Sequence, residues 1–403
     1  MKPLTQLYIL FLSVILSAII SGCQSDTPRP APENTTPRTV LVYMIANNNL
    51  GYASAHFDLN DIEEMEIAAR NGALGTSRLI VFHHSYTDAA SPRLIEITPQ
   101  GQKVLKTYTL DKTSASEEVM NRVIADTKQF APARKYGIIL WSHASGWLNT
   151  GVDTPVKSPR SFGYDNSPSN TMSITSLKNV LTGKDFDFIY FDCCFMATVE
   201  VAYELRKCAE WMIASSAELP ANGTPYHLVL PYLMKREADC SQAARTTFEY
   251  YNDRYDPSAS PRENPDAFGC TFSALYLPNM ERLAECIKGI YASKKYPVTE
   301  YATIQQFAPQ TGRWDYCDLD DFICHMDGIK GVAGEWSSYD WFESALSDVV
   351  RGHGSTPGIH LQNTFTVNSH CGLTTFVPRS SEDFDRYNYR TLAWYRVVAS
   401  HMF

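Results

Sequence analysis

From residue 39 to residue 215 the chain passes again and again from a short apolar run to an amphipathic segment, and that alternation admits few folds. Residues 39–45 are apolar without a polar alternate, as in a strand covered on both faces. Residues 78–82, 136–142, 186–191 and 211–215 read as further buried strands. Helical patterns at 53–69, 116–130, 174–181 and 196–207 separate them. Residues 93–97 and 104–108 alternate around Pro99-Gln100-Gly101, which predicts an antiparallel hairpin. This order predicts an α/β protein, a three-layer α/β/α sandwich around a mostly parallel sheet. From about Tyr226 the pattern turns helical with polar loops, an added carboxyl-terminal helical and mixed region. Strands are expected there at 270–277 and 370–377, and helices at 280–292, 318–326 and 389–400.

Composition narrows function more than fold. The 403 residues are 44% hydrophobic and 20% charged, enough for a sizeable core. A net charge of −9 without a lysine or arginine cluster argues against a nucleic-acid partner. The amino terminus reads as an export signal: Lys2, an apolar core over residues 7–20, then Ile20-Ser21-Gly22-Cys23. That tetrapeptide resembles a bacterial lipobox, which implies lipidation of Cys23, followed by a Pro-, Thr-, Ser- and Asn-rich tether. Gln24, in place of an aspartate after the cysteine, implies outer-membrane sorting in a Gram-negative source. The nine remaining cysteines show no Cys-x-x-Cys spacing, so no zinc site, redox pair or disulfide framework is expected. One or two bridges stay open.

Two loops carry chemistry. Leu140-Trp141-Ser142-His143-Ala144-Ser145-Gly146-Trp147 closes one predicted strand, and Phe191-Asp192-Cys193-Cys194-Phe195-Met196 closes another. Parallel strands place their carboxyl ends on one edge, where such sheets bind ligands. His143 and Cys194 are therefore expected to open into one crevice. A helix starting just after Cys194 would present free N–H groups and partial positive charge, favouring a thiolate and holding an oxyanion. His143 can take the thiol proton or protonate a leaving amine. Strand alternation turns Cys193 to the other side of the turn. Buried cysteines are usually inert, so position alone leaves catalysis open.

The same two stretches resemble the signature of the clostripain family of cysteine peptidases, in the clan of caspases, legumains and gingipains. Val42-Tyr43-Met44-Ile45-Ala46-Asn47-Asn48-Asn49-Leu50 and Phe162-Gly163-Tyr164-Asp165 resemble earlier blocks of that family. Ala214-Ser215-Ser216-Ala217-Glu218-Leu219-Pro220, with Asn222-Gly223-Thr224-Pro225-Tyr226, resembles its pocket-building segment. Asp318-Leu319-Asp320-Asp321-Phe322 and Gly372-Leu373-Thr374-Thr375-Phe376-Val377-Pro378 resemble late blocks, in the family's order. The resemblance implies a caspase-like sandwich, a dyad of Cys194 and His143, and an oxyanion held by the N–H groups of Ala144 and Cys194. It implies substrate contacts from Asp192, Ser215 and Asn222, with arginine or lysine leading at P1. Self-cleavage at Lys157 or Arg160 would follow from their place in the loop after His143. No cofactor is required. The family admits a structural calcium, but Asp318, Asp320 and Asp321 lack EF-hand spacing and read as helix-start acids.

Three positions depart from the family pattern. Ala144 replaces a glycine, keeping the N–H donor while disfavouring a positive φ. Asn222 stands for an aspartate of the basic-specific pocket, which weakens attraction for arginine or lysine. Asn47 replaces an aspartate in the first turn. Asp192 can also be read as the cap of the helix that follows. The chain is expected to divide into a signal at 1–22, a lipidated cysteine and tether at 23–37, a catalytic region at 38–235, and a carboxyl-terminal region at 236–403 packed on the same domain. The expected protein is a monomeric, exported, lipid-anchored cysteine endopeptidase of the cell envelope, acting on proteins or peptides. The alternative is a catalytically silent surface protein that binds peptides or glycans in the same crevice. An acyltransferase or ligase on the same dyad is a third reading.

Overall fold

Alternate side chains of the first strand enter different cores: Leu41, Tyr43 and Ile45 join one, and Val40, Val42, Met44 and Ala46 the other. The computed structural model describes residues 36–403 except 53–55, 88–90, 149–161, 167–170, 260–263, 294–300, 310–314, 327–336, 362–363 and 387. Its strands include β1 (Thr36–Ala46), β2 (Arg78–Ser85), β3 (Arg93–Thr98), β4 (Gly101–Thr107) and β5 (Ala133–Trp141). β6 (Phe186–Asp192), β7 (Ala209–Ala214), β8 (Thr271–Tyr276), β9 (Cys317–Asp318) and β10 (Val350–Ser355) follow. All but β9 belong to a nine-stranded sheet in the order β10-β8-β7-β6-β5-β1-β2-β3-β4. The five strands from β2 to β7 in that order are parallel. The hairpin strands β3 and β4 close one edge antiparallel, and β8 and β10 the other.

Helices Phe57–Arg70, Tyr226–Leu233 and Cys240–Asn252 cover one face. Glu117–Phe130, Ile174–Leu181, Val199–Leu205, Met280–Ser293 and Ser338–Val349 cover the other, completing three layers. Ser116, Ser173 and Thr198 start three of these helices, each side chain accepting a free N–H of the first turn. From β1 the chain winds to β2 on one side and later returns to β5 on the other. The winding direction thus reverses between β1 and β5, which opens a crevice at their carboxyl ends.

Three expected elements differ. The helix predicted at 196–207 begins only at Val199, because Phe195 takes φ 62° and Thr198 supplies the cap. The strand predicted at 370–377 is reduced to Thr374–Thr375, paired with β9. Gly372 at φ 94° breaks it, and the Cys371 N–H turns to Asp318 Oδ2 at 2.7 Å. The closing helix predicted at 389–400 is two 3-10 turns around Ala393–Val397, interrupted where the Ala393 N–H donates to the buried Glu204 carboxylate. β10 has no apolar alternation; its Gly352 and Gly354 pass close to helix Cys240–Asn252, where a Cβ on Gly354 would meet the Phe248 ring at 2.5 Å. All nine cysteines from Cys193 to Cys371 are free, so neither of the bridges left open exists among them. No described helix is long and apolar enough to cross a membrane.

Candidate active site

The loop after β5 is tied to the end of β1. Ser142 Oγ donates to the Ile45 carbonyl at 3.0 Å and accepts the Tyr164 N–H at 3.1 Å. The His143 carbonyl accepts the Gly163 N–H at 3.0 Å, and the half-buried imidazole lies beside Tyr164, ring centroids 5.8 Å apart. Its Nε2 is 2.8 Å from Asn49 Oδ1. The glycine this loop requires is Gly146, at φ 62°, where a Cβ would come within 2.7 Å of the Phe195 carbonyl. Ala144 is not at positive φ, so its methyl group strains nothing.

After β6 the chain makes an irregular turn rather than entering a helix. Both adjacent cysteines line the cleft, but Cys193 is 3% exposed and joins a core, while Cys194 is half-buried. The Leu219 N–H donates to Cys194 Sγ at 3.3 Å. Phe195 stacks on Tyr316 with centroids 4.6 Å apart, and the Tyr316 hydroxyl donates to the Ser145 carbonyl at 2.6 Å. One side chain thereby binds the histidine loop to the cysteine turn. The helix N-terminus expected to favour a thiolate is absent from Cys194, because the helix starts five residues later at Val199. Burial instead pushes the Cys194 thiol up to about 12, against the Leu219 N–H bond. Burial lowers His143 to about 4. Thiol and imidazole are both neutral at pH 7.

A cleft of about 420 Å³ contains both His143 and Cys194 in its lining. Asn49 and Leu50 contribute to it from the end of β1, Glu218 and Leu219 from beyond β7, and Phe268 and His360 from the carboxyl-terminal region. Asp192, 5% exposed, also lines it. Its Oδ2 accepts the Tyr226 hydroxyl at 2.8 Å and the Thr224 N–H at 3.3 Å. Burial outweighs these bonds and raises the carboxyl to about 6. Asp192 caps no helix, since Thr198 does so. Gly223, at φ 62°, leaves room for the carboxylate; a Cβ there would stand 2.9 Å from Asp192 Oδ1.

Two expected substrate residues lie elsewhere. The Asn222 amide turns to Asp266 Oδ1 at 2.6 Å and faces a separate cavity beside Asp61 and Glu64. Ser215 is fully buried, its hydroxyl donating to the Ala217 carbonyl at 3.0 Å and meeting Thr271 Oγ1 at 2.9 Å. Lys157, Arg160 and Cys23 lie outside the described residues. Asp318 accepts the Asp321 N–H at 3.0 Å as a helix cap, and Asp321 accepts the Gln305 N–H at 2.7 Å. Among the described residues, no three His, Cys, Asp or Glu side chains group as a metal site would.

A neutral thiol and imidazole on one cleft, with a buried carboxyl beside them, can attack and cleave a carbonyl compound. The sequence model of the clostripain family matches residues 42–399. This chain belongs to the clostripain family. It is a cysteine peptidase, a hydrolase, as that family is. Among solved structures it resembles an inactive zymogen protease from Parabacteroides distasonis, at 25% identity and a TM-score of 0.74. That match covers 91% of this chain and 99% of the other. It also resembles iotapain, a secreted cysteine protease from Bacteroides thetaiotaomicron, at 19% identity and a TM-score of 0.73, over 90% of this chain and 99% of that one. A B. fragilis cysteine protease is 30% identical over 60% of this chain and 98% of its own, with a TM-score of 0.53. No curated protein sequence matches.

In this clostripain-family peptidase, several residues near the His143 and Cys194 loops carry no sequence signal of their own. Asn49 sits in a run of asparagines that reads only as a strand end. Glu218 lies within the pocket-like segment without a pattern of its own. Tyr316 and His360 are brought in by chain topology, and no local signal marks them.

Proposed function

We propose that this peptidase cleaves peptide bonds through Cys194 and His143, with arginine or lysine at P1. The observation that carries the reading is one cleft lined by the thiol, the imidazole and the buried Asp192 carboxyl. Cys194 Sγ attacks the scissile carbonyl while its proton passes to His143, so the neutral pair becomes charged only as the reaction starts. The N–H groups of Cys194 and Ala144 receive the oxyanion; among the described residues neither donates to another backbone carbonyl. The imidazolium then gives its proton to the leaving amine, and water hydrolyses the thioester.

Asp192 provides the negative charge at P1. Its carboxyl is anchored on one oxygen by Tyr226 and Thr224, which leaves the other for a guanidinium or ammonium group. The Asn222 substitution does not remove this charge, because residue 222 faces away from the cleft. We further propose that lipid on Cys23 holds the enzyme at the cell envelope and that Lys157 or Arg160 is a self-cleavage site; the lipobox-like tetrapeptide and the basic residues after His143 support these readings. A peptide library randomised at P1 tests the activity. Cleavage after arginine and lysine, lost in Cys194→Ala, is the expected result; cleavage that survives the substitution refutes it.

A further inference from the structure

We infer that Asn49 is the positioning partner of His143, holding the imidazole through its Nε2–H and leaving Nδ1 to exchange a proton with the Cys194 thiol. The inference rests on the dyad proposed above and adds a third member to it. Asn49 Oδ1 lies 2.8 Å from His143 Nε2. An amide oxygen only accepts, so the ring nitrogen facing it carries the hydrogen. In a neutral imidazole the lone pair then falls on Nδ1, the nitrogen turned from Asn49. The contact therefore selects one tautomer and one ring orientation.

Asn49 is exposed, which leaves it no packing role, yet the backbone around it is fixed from both sides. Asn47 Nδ2 donates to Asp165 Oδ1 at 2.7 Å. Asn48 Nδ2 donates to the Ile45 and Tyr164 carbonyls at 2.9 and 2.8 Å, and Asn48 Oδ1 accepts the Leu50 N–H at 2.8 Å. The three consecutive asparagines thus divide the work: two anchor the turn, and the third reaches the imidazole. They stand at the end of β1 and His143 at the end of β5, the two sides of the point where the sheet reverses its winding.

An amide rather than a carboxylate at this place suits a dyad that rests uncharged. It orients the ring without adding negative charge that would hold a proton on it. The other titratable groups around the imidazole are Tyr164 beside the ring, and Cys193, Cys194, Glu218, Asp192 and His360 on the same cleft.

The test compares wild type, Asn49→Ala and Asn49→Asp, each with His143 present and with His143→Ala. A P1-arginine peptide amide reports hydrolysis, and iodoacetamide reports the reactivity of residue 194 against pH. Asn49→Ala is expected to lower kcat between about 10-fold and about 100-fold with KM within about twofold. Asn49→Asp is expected to stabilise the imidazolium, moving the acid limb of kcat/KM up by about one pH unit and speeding alkylation at neutral pH. The labelling effect of Asn49→Asp should vanish in the His143→Ala background. An unchanged kcat in Asn49→Ala, or an Asn49→Asp effect that persists without His143, overturns the inference and leaves the dyad standing. Hydrolysis that survives Cys194→Ala overturns both, and alkylation, which needs no turnover, tells the two failures apart.

Discussion

The backbone N–H of Leu219 donates to the sulfur of Cys194 at 3.3 Å. That bond favours the thiolate, yet burial prevails and holds the thiol up at about 12. With His143 lowered to about 4, proton transfer has to await a carbonyl. Iodoacetamide should therefore label residue 194 slowly at pH 7, and about tenfold faster for each unit of rising pH. A peptidyl chloromethyl ketone with arginine at P1 should label it fast at the same pH. Mass spectrometry of the modified peptide measures both rates. Fast iodoacetamide labelling, level from pH 5 to pH 8, would reveal a charged pair at rest and refute this account.

Adjacent thiols make the nucleophile a direct question. Both line the cleft, but Cys193 is 3% exposed and packed in a core, whereas Cys194 is half-buried and its sulfur accepts the Leu219 N–H. Cys194→Ala should abolish hydrolysis at unchanged stability. Cys193→Ala should retain most of kcat/KM and lower stability by about 1 kcal/mol, the cost of a small cavity. Equal loss of activity in the two purified variants rejects the assignment.

The P1 reading proposed for Asp192 predicts a pH limit on basic substrates. Its carboxyl is charged above about 6 and neutral below it, so attraction for a P1 arginine fades as pH falls through that value. The kcat/KM for P1 arginine should drop about tenfold per unit there, beyond any loss seen with a neutral P1 residue. The stability linkage has the opposite sense. The folded carboxyl is raised above its ordinary value, so the native state binds more protons than the unfolded one between the two values. The destabilising contribution is full above about 6 and is relieved on acidification. Asp192→Asn keeps an oxygen for Tyr226 and Thr224, and should raise Tm at pH 7 while cutting P1-arginine kcat/KM about 100-fold. Calorimetry and a pH–rate profile check the two signs.

Gly223 guards the same carboxylate. Gly223→Ala places a methyl group against Asp192 Oδ1 at a residue whose φ is 62°. The expected result is a KM for P1 arginine raised about tenfold or more, with a stability loss of about 1–2 kcal/mol. A KM unchanged from wild type would mean that the basic side chain is recognised elsewhere.

Tyr316→Phe removes the bond to Ser145 and keeps the stack on Phe195. Folding should weaken by only about 1–2 kcal/mol. The histidine loop and the cysteine turn lose a tie, so kcat should fall more than KM rises. Steady-state kinetics with one P1-arginine substrate separates the two.

Much of this molecule is legible in its residues. The central strands announce themselves because burial on both faces leaves unbroken apolar runs, as in residues 41–46. Helix Ile174–Leu181 coincides with its prediction because an apolar stripe and a serine cap agree. β10 is invisible because an edge strand with two glycines carries no alternation. That His143 and Cys194 share a cleft is legible because strand order alone brings them to one edge. Asn222 misleads because sequence shows a residue's place along a loop and not the direction of its side chain, which here follows Asp266. Asn49 goes unread because a polar turn residue looks the same whether it ends a strand or holds a ring.

The bond from Tyr316 to Ser145 spans 171 positions. A ribosome therefore lays down His143 and Cys194 long before the residue that couples their loops. Half-made copies carry a thiol and an imidazole without the brace between them. The tie between the two loops arrives late in synthesis, when most of the polypeptide is already in place to be folded around them.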